Sequence, residues 1–211
     1  MLVAKAPLAA YRLRATGAAK LWAVVTTEQV HVASEPTSTE ALVLDVPPFS
    51  QMLHDGGEAW CSAASTAMLL AYWGRGRGVE HAARHTYDDA YGGTGNWPFN
   101  VAYAHRLGLE GSVTCLRSLA EAEAHVRAGI PLAASLSFGP GELDGFPLPS
   151  TDGHVLTIVG FTAEGDVVAN DPAAPTNAEV RRVYDRRQFE RAWLTSSGGV
   201  VYLLYPATGA A

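Results

Sequence analysis

The chain has 211 residues, 48% of them hydrophobic and 17% charged, which suffices for one globular domain with a substantial core and a small appendage but not for two large domains. A formal net charge of −6 without clustered Lys and Arg excludes a nucleic-acid or anionic-membrane surface. The one dense basic stretch, Arg181, Arg182, Arg186 and Arg187 around Asp185, reads as a solvated face. Two cysteines, Cys61 and Cys115, exclude a disulfide-stapled scaffold and CxxC metal ligation. A disulfide between them stays open, though it would consume the more interesting thiol, and Cys115 reads as a small buried residue.

In chain order, the first ten residues are mildly signal-like, but Lys5 and Pro7 interrupt them and Arg12 and Arg14 follow, leaving no apolar h-region. Residues 10–16 and 21–27 alternate as strands around a turn at Gly17, and 34–40 reads as a polar linker. The boundary is placed there. Residues 1–40 form an N-terminal β segment and linker, a possible remnant of an upstream domain, and 41–207 form the main domain. No apolar run approaches the roughly 20 residues needed to span a bilayer.

A short strand at 41–46 is stopped by Pro47 and Pro48. After a loop comes the unbroken small and apolar run 61–72, a helix stopped by Gly74 and apolar on nearly every face, so that it threads the core. Helical spacing recurs over 79–90 and 98–107, the second with Pro98 at the first helical position, and Ser118 with Glu121 forms a capping box for a helix ending near Gly129. A strand over 131–137 is followed by a long Gly- and Pro-rich loop at 138–153. Strands at 154–161 and 166–170 flank a turn at Glu164 and Gly165. A helix over 186–193, capped by Asp185 with Gln188, leads to a closing strand over 199–205. Helices first and strands later is an α+β order.

The chemistry centres on Cys61. A cysteine in the first turn of a helix lies among N–H groups with no intrahelical partner, and these favour the thiolate. Nucleophilic thiol catalysis also needs a base within reach of the sulfur, a group orienting that base, and donors facing the oxyanion. His154 opens one strand and Asp171 ends the next, so the intervening hairpin folds them together. Simple hairpin register leaves the two about three positions out of step, an offset that a bulge, strand twist or the Asp171-Pro172 turn must absorb. Gln51, in the loop before Cys61, carries the amide an oxyanion hole wants, beside the backbone N–H of Cys61.

Gln51, the run Gly57-Glu58-Ala59-Trp60-Cys61-Ser62 opening a helix, Gly153-His154 opening a strand, and Val168-Ala169-Asn170-Asp171-Pro172 closing the next together resemble the papain-like cysteine peptidases of family 39. These are the bacteriocin-processing, double-glycine leader peptidases and their free-standing bacterial relatives. The resemblance covers 41–207. It implies a papain-like α+β fold, with a helical N-terminal part whose nucleophile helix packs on an antiparallel sheet. It also implies nucleophile Cys61, base His154, orienting Asp171 and oxyanion donor Gln51, a peptide or protein substrate, no metal or organic cofactor, and secretion. Oligomeric state is not implied.

Two departures stand out. Ser62 follows Cys61 where the leader peptidases carry Gly, and Gln51 lies ten positions upstream rather than a few. Double-glycine specificity is not carried over, because the transporter that accompanies it in that family is lacking here. Two other functions stay open: a peptide-binding module that kept the fold and lost the chemistry, and an amidase or acyltransferase using the same triad. His81 and His85, at i and i+4, read as a solvated helix face rather than a metal clamp. The glycine-rich 92–97 reads as a turn bordering the groove, and Trp60 and Trp97 are candidates for its lining.

Overall fold

The computed structural model describes residues 33–207. The expected strands at 10–16 and 21–27 lie outside them. The elements are β1 (Leu42–Val43), α1 (Cys61–Tyr72), α2 (Val79–Thr86), α3 (Trp97–Arg106), β2 (Leu109–Cys115), α4 (Leu119–Arg127), β3 (Leu132–Phe138), β4 (Thr151–Phe161), β5 (Val167–Asn170), β6 (Arg181–Tyr184), α5 (Arg186–Ser197) and β7 (Val200–Pro206). Six strands form one antiparallel sheet in the order β2-β7-β3-β4-β5-β6, and β1 pairs with β4 off that path. This is the α+β architecture expected.

The sheet is covered on both faces, which gives each face its own core. Leu132, Ala134, Leu136, Leu156 and Ile158 pack with α4 and α5, around the fully buried Phe189 and Trp193. Ala133, Val155, Tyr202 and Leu204 face the other way, onto α1, α2 and α3. Helix α1 meets the sheet through Ala63, Ala64 and Ala67, side chains short enough to let the helix backbone come close. Ser65 Oγ donates to the carbonyl of Val155 at 3.0 Å, fixing α1 along β4.

Caps fall where the sequence places them. Ser118 Oγ accepts from the Glu121 N–H, and Asp185 accepts from the Gln188 N–H at 2.9 Å. Other expectations need correction. Helix α2 stops at Thr86, because residues 88–93 close a tight turn in which the Asp88 N–H donates to the Gly93 carbonyl at 2.9 Å. Strand β2 lies between α3 and α4, so the helices do not all precede the sheet. Its sequence Leu-Glu-Gly-Ser-Val-Thr-Cys is a poor strand former, and seven paired positions against β7 override that preference. Gly111 suits the pairing, since a Cβ there would collide with the Leu203 carbonyl.

The basic stretch is a solvated face only in part, since Arg181 and Arg187 are exposed while Arg186 is buried. It supplies β6 and the start of α5. Arg181 donates to Asn170 Oδ1 at 3.1 Å and to the Val46 carbonyl at 2.8 Å, and Arg186 is buried. No disulfide occurs among the described residues, and Cys115 is half-buried at the end of β2 rather than in the core.

The β4–β5 register sets up the site. Near the turn, Phe161 faces Val167 and Gly160 faces Val168; beyond an irregularity, Ile158 faces Ala169 and Thr157 faces Asn170. Val159 is therefore an extra residue on β4, a β-bulge. Without it Asp171 would fall opposite Thr157, three positions from His154 and on the wrong face. With it Asp171 falls opposite Leu156, two positions from His154 and on the same face.

The bulge lies where β1 crosses. Gly160 faces Val43, and a Cβ at Gly160 would run into the Leu42 carbonyl and sit 2.8 Å from Val43 Cα. Gly160→Ala is therefore expected to lower unfolding stability by about 1–3 kcal/mol, read as an earlier urea midpoint. An unchanged midpoint would mean that β1 does not press on β4 there.

Candidate active site

Cys61 is the first residue of α1, following a 3-10 turn at Gly57–Ala59 and the cap residue Trp60. No side chain caps this helix start, and the Ser62 N–H of its first turn donates a hydrogen bond to the Cys61 sulfur. The loop that delivers Cys61 is stitched to the turn after Asp171. The Gln51 N–H donates to the Pro172 carbonyl at 2.9 Å, and the Ser50 N–H donates to Asn177 Oδ1 at 2.7 Å. The segments ahead of the thiol and behind the carboxylate are thus one hydrogen-bonded unit.

His154 and Asp171 meet as the register requires. His154 Nε2 donates to Asp171 Oδ1 at 2.9 Å, with the two side chains 5% and 0% exposed. Asp171 is saturated by two further donors, the Ala173 N–H at 3.0 Å to Oδ1 and the Tyr184 hydroxyl at 2.6 Å to Oδ2. Phe146, from the loop at 139–150, sets its ring edge-on against His154 with centroids 5.0 Å apart. With Nε2 held by the carboxylate, Nδ1 is the ring nitrogen left for the sulfur, and Cys61 and His154 are hydrogen-bonded through their side chains.

The electrostatics follow. Burial pushes the Cys61 thiol up, but its hydrogen bond to His154, that imidazole's charge and the N–H groups of Val155 and Ser62 outweigh burial and leave it below the ordinary thiol value. Burial also disfavours the His154 imidazolium. The charge and hydrogen bond of Asp171, with a smaller contribution from Cys61, win and push His154 up to about 10. For Asp171, burial is overcome by His154, Tyr184 and Ala173, and its carboxyl lies below the usual range. The shifts on the sulfur and on the imidazole thus run in opposite directions, each towards its charged form, with the carboxylate on the far side of the ring.

Gln51 is buried beside this group, but its Nε2 donates to the carbonyls of Gly57 at 2.9 Å and Glu58 at 2.7 Å, while Oε1 has no partner. Both amide hydrogens are engaged with the loop that leads to Cys61. Trp60 is half-buried and lines a cavity of about 730 Å3 together with Leu53, His54, Glu80, Arg84 and Tyr87. Trp97, like Trp60, packs against the α1 core, but it does not line this cavity. His81 and His85 stack at 3.9 Å on α2, and no group of three or more potential metal ligands occurs among the described residues. Tyr184 was not foreseen from the sequence, because it lies in the basic stretch. The signal available was a single aromatic placed beyond Asp171 at the end of a short Val- and Arg-containing run.

The model of the Peptidase_C39 like family matches residues 43–201. The chain belongs to this family. Among solved structures, similar ones include a double glycine motif protease from an AMS/PCAT transporter in complex with its leader peptide, 20% identical with a TM-score of 0.54, covering 78% of this chain and 94% of that one. A C39-like peptidase from Bacillus anthracis is 19% identical with a TM-score of 0.57, covering 78% and 97%. The peptidase domain of Streptococcus ComA, a bifunctional ABC transporter of a quorum-sensing pathway, is 14% identical with a TM-score of 0.52, covering 76% and 98%. At these identities the likeness is one of fold. No curated protein sequence matches the chain. The fold is that of the C39 papain-like peptidase domains, and no helix among the described residues is long and apolar enough to cross a membrane.

Alkylation tests the electrostatics without a substrate. Thiolate accumulates as pH rises through the Cys61 pKa, so the rate of iodoacetamide reaction at Cys61 should reach half its plateau below the ordinary thiol value. In His154→Ala the hydrogen bond and charge are gone while most of the burial remains, and the midpoint should move upward past that value. Identical profiles for the two proteins would refute the pairing.

Proposed function

We propose that this protein is a cysteine peptidase that hydrolyses peptide bonds through Cys61, His154 and Asp171. The observation that carries the reading is the buried His154–Asp171 hydrogen bond with the Cys61 thiol interacting with that imidazole from the start of a buried helix, in a chain of the C39-like family. A module that only binds peptide has no use for a thiol held below its ordinary value beside a charged imidazole. The leader peptide bound to one structural neighbour supports a peptide as substrate class. Work outside the cell belongs to the same proposal and rests on the family resemblance.

In this reading the Cys61 thiolate attacks the scissile carbonyl, and the sulfur–carbon bond forms as the carbonyl π electrons move to oxygen. The donors available to that oxygen are backbone N–H groups at the start of α1, which no side chain caps. Gln51 can join them only by releasing one of its two loop carbonyls. His154 gives its Nδ1 proton to the leaving amine as the tetrahedral species collapses to an acyl-enzyme. The same nitrogen then takes a proton from water, which attacks the thioester and releases the acid and the thiolate. Asp171 keeps the Nε2 proton in place throughout, and Tyr184 and the Ala173 N–H keep Asp171 charged and oriented.

Mass spectrometry of a peptide library after incubation tests the proposal. Cys61→Ala should abolish cleavage, His154→Ala should lose at least about a hundredfold in rate while remaining folded, and Cys115→Ser should cut like the wild type. Full cleavage by Cys61→Ala, or a library left intact by the wild type, would overturn it.

A further inference from the structure

The cavity beside Trp60 is not used by the mechanism above, although it begins one residue from the nucleophile. It measures about 730 Å3, within the range of small-ligand sites, and is walled by the loop that delivers Cys61 and by helix α2. Trp60, Leu53 and Tyr87 form its apolar part, and the last two are 55% and 50% exposed. His54, Glu80 and Arg84 form its polar part, and the same three residues line an adjoining cavity of about 270 Å3 that reaches Arg77. A groove therefore leaves the start of α1 and runs along one side of α2. Large apolar side chains left open to water around one cavity, with charges at its far end, mark a surface that another molecule covers.

The charges in this groove are not balanced against one another. Glu80 stands four residues before Arg84 on α2, the spacing and order at which a carboxylate and a guanidinium pair on a helix. Here they do not pair. Glu80 Oε1 accepts instead from His54 Nδ1 at 3.2 Å, and the His54 ring lies beside that of Trp60 with centroids 6.3 Å apart. The Arg84 guanidinium is left without a hydrogen-bond or ion-pair partner among the described residues, and so is that of Arg77. Asp55, at the first cavity, is the one acid of the groove in the same condition. Desolvation first, and then the charges of His85, Arg84 and Arg77, hold the His81 imidazole below its ordinary value, as expected where positive charge is in excess.

We propose that this groove is a substrate subsite selective for an acidic residue, whose carboxylate pairs with Arg84 while the peptide beside it packs on Trp60, Leu53 and Tyr87. Arg84 is the fitting partner because a guanidinium presents a fork of N–H donors that matches a carboxylate, and nothing on its own helix occupies it. A basic residue finds no equivalent, since Glu80 is already engaged by His54 and Asp55 is outnumbered by Arg84 and Arg77. Because Trp60 is joined directly to Cys61, the residue read here lies close in sequence to the bond that is cut. The identity of the ligand as a peptide rests on the peptidase reading.

Cleavage products from the peptide library, aligned on the cut bond, should show Asp or Glu enriched at one position, and two peptides differing only by Glu or Gln there supply the measurement. The Glu peptide should have the higher kcat/KM. Arg84→Met should lower the ratio of the two values about fivefold, through KM rather than kcat, with the iodoacetamide rate at Cys61 and Tm unchanged. Arg84→Glu should turn the preference towards Lys. No acidic enrichment, or a preference that survives Arg84→Glu, would overturn the proposal, and so would an equal loss on both peptides, which shows a packing role. If the wild type cuts nothing, the library peptides retained on the immobilised protein are sequenced. Acidic peptides held by the wild type and released by Arg84→Glu would sink the peptidase reading alone. Cutting without an Arg84-dependent preference would sink this inference alone, and a chain that neither binds nor cuts would sink both.

Discussion

One extra residue in β4 decides whether this molecule has a site at all. The bulge at Val159 turns the imidazole of His154 and the carboxylate of Asp171 onto one face of the sheet, two positions apart along neighbouring strands. Once there, the pair is almost wholly removed from water, and desolvating two charges is favourable only if every remaining polar edge finds a partner. Asp171 has three donors and His154 has the sulfur on its other nitrogen, so the requirement is met from four separate segments of chain. Losing one member leaves an uncompensated buried charge, a penalty of about 3–5 kcal/mol. Site and fold are therefore stabilised by the same contacts.

The thiol reaches this pair by a different device. Helix α1 is built of residues too small to hold it away from the sheet, and its hydroxyls are tied inward, Ser65 to β4, Ser62 to the turn at 92–97 and Thr66 to Asn100. A helix so fixed along its length has little freedom at its first residue, which is where placement of a nucleophile within tenths of an ångström matters. Gly57 serves the same end. A Cβ there would collide with the Gln51 carbonyl, so the loop can fold this tightly only because that position is bare.

What could be read from the sequence, and what could not, follows from these two devices. Cys61 and Asp171 were legible because each sits at an element boundary marked by local chemistry, a small-residue helix start and an Asp-Pro stop, and His154 because Gly-His reads as a strand start, although β4 begins three residues earlier at Thr151. Their meeting was legible only as an unresolved three-position offset, since a bulge at an unremarkable Val among Thr, Ile, Val and Gly has no local signature. Strands β2 and β6 were missed because their residues, Glu, Gly and Ser in one and paired Arg in the other, favour turns and solvent until a neighbouring strand overrides them. Tyr184 went unseen with β6. The engagement of Gln51 with its own loop depends on a 3-10 turn that sequence pattern does not announce.

The segment read as a polar linker shows the same limit from the opposite side. Ser34, Glu35 and Thr37 are not free chain: the Ser34 N–H and hydroxyl donate to Glu190, the Thr37 N–H donates to Glu123, and Arg186 donates to the carbonyls of Ser34 and Glu35. Glu123, Glu190 and Arg186 are nearly buried charges, and none would tolerate burial without these partners. The polar composition of the strap thus serves both its receiving surface, through Ser34 and the backbone of Glu35 and Thr37, and the solvent, to which Glu35, Thr37, Thr39 and Glu40 are exposed. Arg186 stands two residues beyond Tyr184, the donor to Asp171, so the junction of β6 and α5 joins the strap on one side to the His154 pair on the other. A disturbance of that junction has to reach both, because Tyr184 and Arg186, one from each buried charge network, stand only two positions apart along the backbone.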